Sequence, residues 1–187
     1  MTAGEMVRAV RRVTSGWRYS VVSIGFPGPV LHGTPAAEPR NLGDGWVGFD
    51  FAQAFDCPVR IINDAAMQAL GGYEGGRMLF LGLGSGLGSA LIVDDVIAPL
   101  ELAHLPYKKG RTYEEYVGKA GRKRSGTKQW RRHVADVVTR LRDALQVDDV
   151  VVGGGNAKKL QRLPEGVRLG SNADAFTGGY RLWTRQE

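Results

Sequence analysis

Four short stretches of this chain hold residue types at spacings that can do chemistry. Asn63 and Asp64 form a polar pair where a β-branched run, residues 59–62, meets the helix-forming residues 65–70. Ligands and catalytic groups collect at strand C-termini in α/β sheets. A carboxylate there can take the proton of an attacking hydroxyl, as phosphoryl transfer requires, or it can cap the helix. Gly84, Ser85, Gly86, Leu87 and Gly88 join two apolar runs, 78–83 and 90–93. Glycines let backbone N–H groups approach phosphate oxygens, and Ser85 adds a hydroxyl donor; the same residues also suit a plain hairpin turn. No Lys-Ser or Lys-Thr follows and a strand comes next, so neither a Walker loop nor a dinucleotide fingerprint is present. Glu101 and His104 can offer an acceptor and a switchable donor to one polyol, or stand solvated in a loop. Gly153, Gly154 and Gly155 follow the apolar residues 150–152, and consecutive glycines let a ligand lie against the backbone.

The elements that must position these groups alternate between strand and helix periods. Thr2 and Glu5 have capping-box spacing, and Met6, Val7, Val10 and Val13 continue at helical period until Gly16. Residues 19–26 are β-branched and stop at Pro27-Gly28-Pro29, a strand running into a tight turn. Residues 31–48, rich in Gly, Pro and Asn, predict one long loop. A short helix is predicted over 49–55, a strand over 59–62 and a helix from 65. Val134, Val137, Val138, Leu141 and Leu145 repeat at the helical period, which predicts an amphipathic helix with one buried face. A strand at 150–152, a short helical turn at 156–160 and a closing helix at 172–183 complete the α/β pattern.

Charge is divided unevenly. Residues 1–100 hold 7 basic and 9 acidic side chains, and residues 101–187 hold 18 and 10. Residues 108–132 alone contain 10 basic residues against Glu114 and Glu115, a band suited to an anionic partner or to a solvated face. Cys57 is the only cysteine, so no internal disulfide forms, and no Cys/His cluster has zinc-site spacing. The first residues are charged and lack a signal-peptide core. Residues 79–93, the most apolar stretch, are too short and too glycine-rich to span a bilayer. A cytoplasmic protein is the expectation.

Taken in order, Phe26-Pro-Gly-Pro, then Asn41 to Trp46, then Ile62-Asn-Asp-Ala, the Gly84 loop, Glu101-Leu-Ala-His104 and Val151-Val-Gly-Gly-Gly155 closely resemble the ROK family (repressors, open reading frames and sugar kinases). The likeness is strongest to its polyphosphate glucokinase branch and extends from about Val21 to the C-terminus. It implies an α/β, actin-like ATPase (ribonuclease H-like) fold with two lobes. Residues 1–77 would form a partial N-terminal lobe with the sugar and catalytic residues; residues 78–187 would form a C-terminal lobe with the phosphate and nucleotide-side glycine loops. It implies phosphorylation of glucose at its 6-hydroxyl by polyphosphate, ATP or both, with Mg²⁺ accompanying the donor and no zinc. By the same resemblance Asp64 matches the catalytic base. Asn41, Asn63, Glu101 and His104 match sugar contacts. Gly84, Ser85, Gly86 and Gly88 match a phosphate loop, and Gly153, Gly154 and Gly155 match glycines on the adenosine side.

Three departures from the family pattern carry their own expectations. No Asp-x-Gly-Gly-Thr strand is present, so the first lobe is expected to be truncated at its N-terminus, leaving a neighbouring strand edge exposed. The alternative function this implies is a catalytically impaired relative acting as a sugar-binding or dimerising module. Ala103 stands where the family has Gly, which would strain the loop if that position needs positive φ. The family's Cys-rich zinc motif is absent, as in the polyphosphate glucokinase branch. The expected partners are a hexose, a phosphate donor and a second copy of the chain, with no nucleic acid and no membrane. Regulators of the same family carry a helix-turn-helix domain, and Arg8, Arg11 and Arg12 on one short helix do not make a reading head.

Overall fold

In a computed structural model, residues 1–184 are described. They divide into two compact units, residues 1–64 with 179–184, and Ala65–Gly178.

In the first unit, helix α1 (Ala3–Val13) begins at a capping box, with the Glu5 amide on Thr2 Oγ1 at 3.3 Å and the Thr2 amide on the Glu5 carboxylate at 2.8 Å. It buries Ala3 and Val7 and ends at Val13, before Gly16. Strand β1 (Val22–Phe26) pairs in parallel with a later strand, Val59–Asn63, placing Phe26 opposite Asn63. The ladder starts at Val22 because its partner begins at Val59, and Pro58 before it has no N–H to extend the pairing. Residues 19–21, read from sequence as strand, therefore stay outside it. The segment expected to be one loop contains a hairpin, β2 (Val30–Leu31) and β3 (Thr34–Pro35). His32 and Gly33 turn it with φ of 50° and 75°, the double positive φ that tight hairpins need. Helix α2 (Phe51–Phe55) is capped by Asp50, and strand β4 (Val59–Asn63) follows. Ala3, Val7, Phe26, Trp46, Phe51, Phe55 and Ile61 form the core of this unit, with the Phe26 and Trp46 rings 5.6 Å apart.

The chain leaves this unit in helix α3 (Asp64–Gly71) and builds a five-stranded sheet. Strands β5 (Arg77–Leu83), β6 (Leu87–Val93) and β7 (Val96–Leu100) form an antiparallel meander. Strands β8 (Pro106–Lys108) and β9 (Arg111–Thr112) make a small hairpin, followed by helices α4 (Tyr113–Val117) and α5 (Lys119–Leu145). Strand β10 (Asp149–Gly153) then pairs in parallel with β5, and β11 (Val167–Leu169) with β10, giving the order β11-β10-β5-β6-β7. One face of the sheet, with Leu79, Leu81, Leu83, Val150 and Val152, packs on Trp130, Val134, Val137, Val138 and Leu141 of α5. These include the heptad-like positions of the amphipathic helix, but the helix starts well before them and kinks at Gly126. Helix α6 (Asp174–Thr184) closes the chain. Its final turns return to the first unit, where Ser23 Oγ donates to Gly179 O at 2.6 Å and accepts from Trp183 Nε1 at 2.8 Å.

Candidate active site

Strand β4 runs into α3 without a connecting loop, so Asn63 is its last residue and Asp64 the first of the helix. Asp64 is exposed, and the next residues, Ala65, Ala66 and Met67, are buried. Anchoring by these small and apolar side chains fixes the carboxylate at a strand C-terminus. Asn63 Nδ2 donates to Gly28 O at 3.1 Å, tying it to the Pro27-Gly28-Pro29 turn. Asn41 is exposed on the loop that precedes Trp46. That loop is organised by a residue with no place in the sequence reading. Glu38 accepts from the Trp46 amide at 3.1 and 3.2 Å and from the Val47 amide at 3.2 Å. The Trp46 N–H chiefly holds its carboxyl below the usual range.

In the second unit the Gly84 loop is a hairpin: Leu83 pairs with Leu87, and Gly84, Ser85 and Gly86 make the turn. Ser85 is at its exposed tip. The loop is enclosed by three contacts. The Leu87 amide donates to Glu114 Oε2 at 3.2 Å, and a Cβ at Gly86 would collide with the same carboxylate. The Lys119 amide, at the start of α5, donates to Ser85 O at 3.2 Å. Asn156, buried, sends its own amide to Leu83 O at 2.9 Å and Nδ2 to Gly84 O at 3.0 Å. Gly88 faces α3, where a Cβ would lie 2.9 Å from Ala65 Cβ.

Asn156 brings the Gly153–Gly155 turn onto this hairpin, so two of the stretches singled out by sequence meet. The structure separates the three glycines by task. A Cβ at Gly153 would press on the Phe80 ring at 2.7 Å. Gly154, at φ +82°, would meet the Leu83 backbone at 2.7 Å. Both permit close packing of β10 on β5, and Gly155 alone has open space around its Cα. Glu114 and Asn156 escaped the sequence reading for different reasons. Glu114 was one of two acids in a basic band, and Asn156 looked like a helix start. Only the tertiary fold sets both against the loop.

Glu101 and His104 flank a 3₁₀ turn, Leu102–His104, with His104 Nε2 3.9 Å from Glu101 Oε2 and both side chains exposed. Ala103 between them is buried in the α5-side core, and its φ is not positive. The strain expected of Ala at this position is absent, because the turn uses ordinary right-handed geometry.

Among the described residues no group of three His, Cys, Asp or Glu side chains lies close enough to hold a metal ion, and no helix is long and apolar enough to cross a membrane.

No family model matches the chain. Among curated proteins it is similar to the polyphosphate glucokinase of Mycobacterium tuberculosis CDC 1551, 26% identical over 161 residues, covering 79% of this chain and 60% of that protein. The polyphosphate glucokinase of Mycobacterium leprae is 27% identical over 176 residues, covering 86% and 52%. The chain thus spans between half and three-fifths of the length of these curated relatives. Among solved structures, the inorganic polyphosphate/ATP-glucomannokinase of Arthrobacter sp. strain KM superposes with a TM-score of 0.78 at 25% identity, covering 96% of this chain and 81% of that one. A ROK family glucokinase from Streptomyces griseus, in complex with glucose and AMPPNP, superposes with a TM-score of 0.74 at 15% identity, covering 97% and 88%. The mixed sheet, three antiparallel strands followed by two parallel ones, is the actin-like ATPase arrangement expected from the sequence. By sequence the chain is similar to polyphosphate glucokinases, and its fold is that of ROK family sugar kinases.

Proposed function

We propose that this chain phosphorylates glucose at its 6-hydroxyl with polyphosphate or ATP as donor. The observation that carries this reading is Asp64, an exposed carboxylate fixed at the junction of β4 and α3 directly after Asn63. Asp64 takes the proton from the sugar hydroxyl as its oxygen attacks the terminal phosphorus of the donor. The bond from that phosphorus to its bridging oxygen breaks, releasing ADP or a shortened polyphosphate. Asn41, Asn63, Glu101 and His104 orient the hexose. The N–H groups of Gly84, Ser85, Gly86 and Gly88 receive phosphate oxygens, and Gly153 to Gly155 lie on the donor side. In this division residues 1–77 carry the base and residues 78–187 the glycine loops. Positioning and electrostatic support supply most of the acceleration in such transfers.

Mg²⁺ suits this donor set, because it takes most of its ligands from phosphate oxygens and water and needs no protein-only cage. Bound with the donor, it neutralises charge on the phosphoryl oxygens. The fold supports a protein working on small molecules. A second copy of the chain and a cytoplasmic setting complete the proposal.

The test compares wild type with Asp64→Asn, measuring glucose 6-phosphate formation with each donor and glucose affinity by calorimetry. Wild-type turnover, with a loss of about 10²–10⁴-fold in the variant and near-equal glucose affinity, is expected. Background rates in both proteins with glucose still bound would leave a sugar-binding module. No glucose binding by wild type would overturn the proposal.

A further inference from the structure

Ser89 is one of two buried polar or charged residues among those described, at 2% exposure, and lies on β6 three residues beyond the Gly84 hairpin turn. Its hydroxyl donates to Leu100 O at 2.7 Å and accepts from the Leu102 amide at 3.2 Å. Those two backbone groups stand on either side of Glu101. The same residue pairs with Leu100 in the β6–β7 register, so β7 stops where this bridge forms. Glu101 has φ −110° and ψ 53°, and the Leu102–His104 turn it precedes has no side-chain cap. With no cap from Glu101 itself, Ser89 supplies an acceptor to the first amide of that turn. Buried Ala103 supplies the apolar anchor.

We propose that Ser89 is the positioning residue for Glu101 and His104. It holds both ends of the Glu101 peptide to β6, the strand that leaves the phosphate hairpin, so that sugar and donor loops share one rigid element. An alanine there would leave the Leu102 N–H buried or forced to find water, and a buried donor without a partner is costly. The Glu101–His104 pair would then sample orientations it does not sample now. Asn156 performs the corresponding task on the other side of the hairpin, fastening Gly84 O and Leu83 O to the glycine turn, so the two deletions are expected to affect different substrates.

This inference rests on the glucose-binding reading, and two readouts on Ser89→Ala separate them. Hydrogen exchange requires no ligand: the Leu102 amide, now protected by Ser89, is expected to exchange at least tenfold faster, with the central amides of β5 and β6 unchanged. Unchanged exchange at Leu102 would overturn the bridge itself. Global acceleration across the sheet would assign Ser89 to stability alone and would equally overturn the positioning role. Calorimetry with glucose is then expected to show a Kd about tenfold higher, equivalent to about 1.4 kcal/mol. Steady-state kinetics should show a raised glucose KM with the donor KM unchanged. Local exchange at Leu102 together with an unaltered glucose Kd would overturn the role in sugar binding. Absence of glucose binding in wild type would instead strike the proposed function, and the exchange result would still stand.

Discussion

Asp136 shows how single side chains hold the segment between His104 and α4. Tyr107 Oη donates to its Oδ2 at 2.5 Å, Lys108 Nζ at 3.0 Å and Arg140 Nε at 3.1 Å. The Tyr107 hydroxyl is the principal cause that lowers the Asp136 pKa from 3.8 to about 2, with Lys108 and Arg140 adding to it. A carboxyl whose folded pKa is depressed contributes stability above its unfolded value and loses it as pH falls toward the folded one. The Asp136→Asn variant is expected to be less stable at pH 7 by about 0.5–1 kcal/mol, since over a third of the carboxylate is exposed and water screens it. Urea titrations at several pH values should show this difference narrowing below about pH 3.8. A constant difference across that range would assign the loss to packing. At the same scale, Asn156→Ala should raise the donor KM several-fold and leave glucose affinity unchanged, by freeing the Gly84 carbonyl.

Between elements, small residues decide how closely backbones meet. A Cβ on Gly178 of α6 would collide with the Met67 carbonyl of α3, and one on Gly71 with the Asp174 carbonyl. Two helices that touch at both glycines cannot absorb a methyl without moving apart. Gly178→Ala is expected to cost about 1–3 kcal/mol, read as a lowered denaturation midpoint with unchanged slope. In α5, Gly126 at φ 75° and ψ 157° interrupts the helix, a conformation essentially confined to glycine. The break lets the first turns of α5 meet the Ser85 loop while the later turns pack Trp130 and Val134 on the sheet. Gly126→Ala should destabilise by about 1–3 kcal/mol and disturb donor use before glucose binding.

At the scale of the whole molecule, the basic band of residues 108–132 is divided between structure and surface. Lys108 is tied to Asp136, Arg124 donates to Glu115 O, and Arg131 donates to Lys159 O at 2.7 Å and to Gln161. Lys109, Arg111, Lys119, Lys123 and Lys128 remain exposed. If these side chains receive a long polyphosphate, binding must release counterions. The polyphosphate KM is then expected to rise by about tenfold or more between 50 and 200 mM salt, with a smaller change for ATP. A flat response would reduce the band to a solvated face.

The residue order by itself carried the likeness to ROK sugar kinases, the alternation of strands and helices, and the stretches proposed to bear chemistry. Those features are local: Thr2 and Glu5 cap a helix three residues apart, and the apolar residues of α5 repeat along one stripe. Strand ends were less legible, because Val22 begins β1 only where a partner strand begins, and β11 is short and needs β10 beside it. The His32-Gly33 turn was hidden because a histidine at positive φ leaves no sign in composition. Only the tertiary structure decided which polar residues hold the Gly84 hairpin and the backbone on either side of Glu101. Glu114, Asn156 and Ser89 lie 27, 72 and 11 or 13 positions from the groups they bind. It also showed that Gly153 and Gly154 are small because Phe80 and the Leu83 backbone lie against them. Contacts at such separations depend on packing and burial, which no short stretch of residues encodes alone.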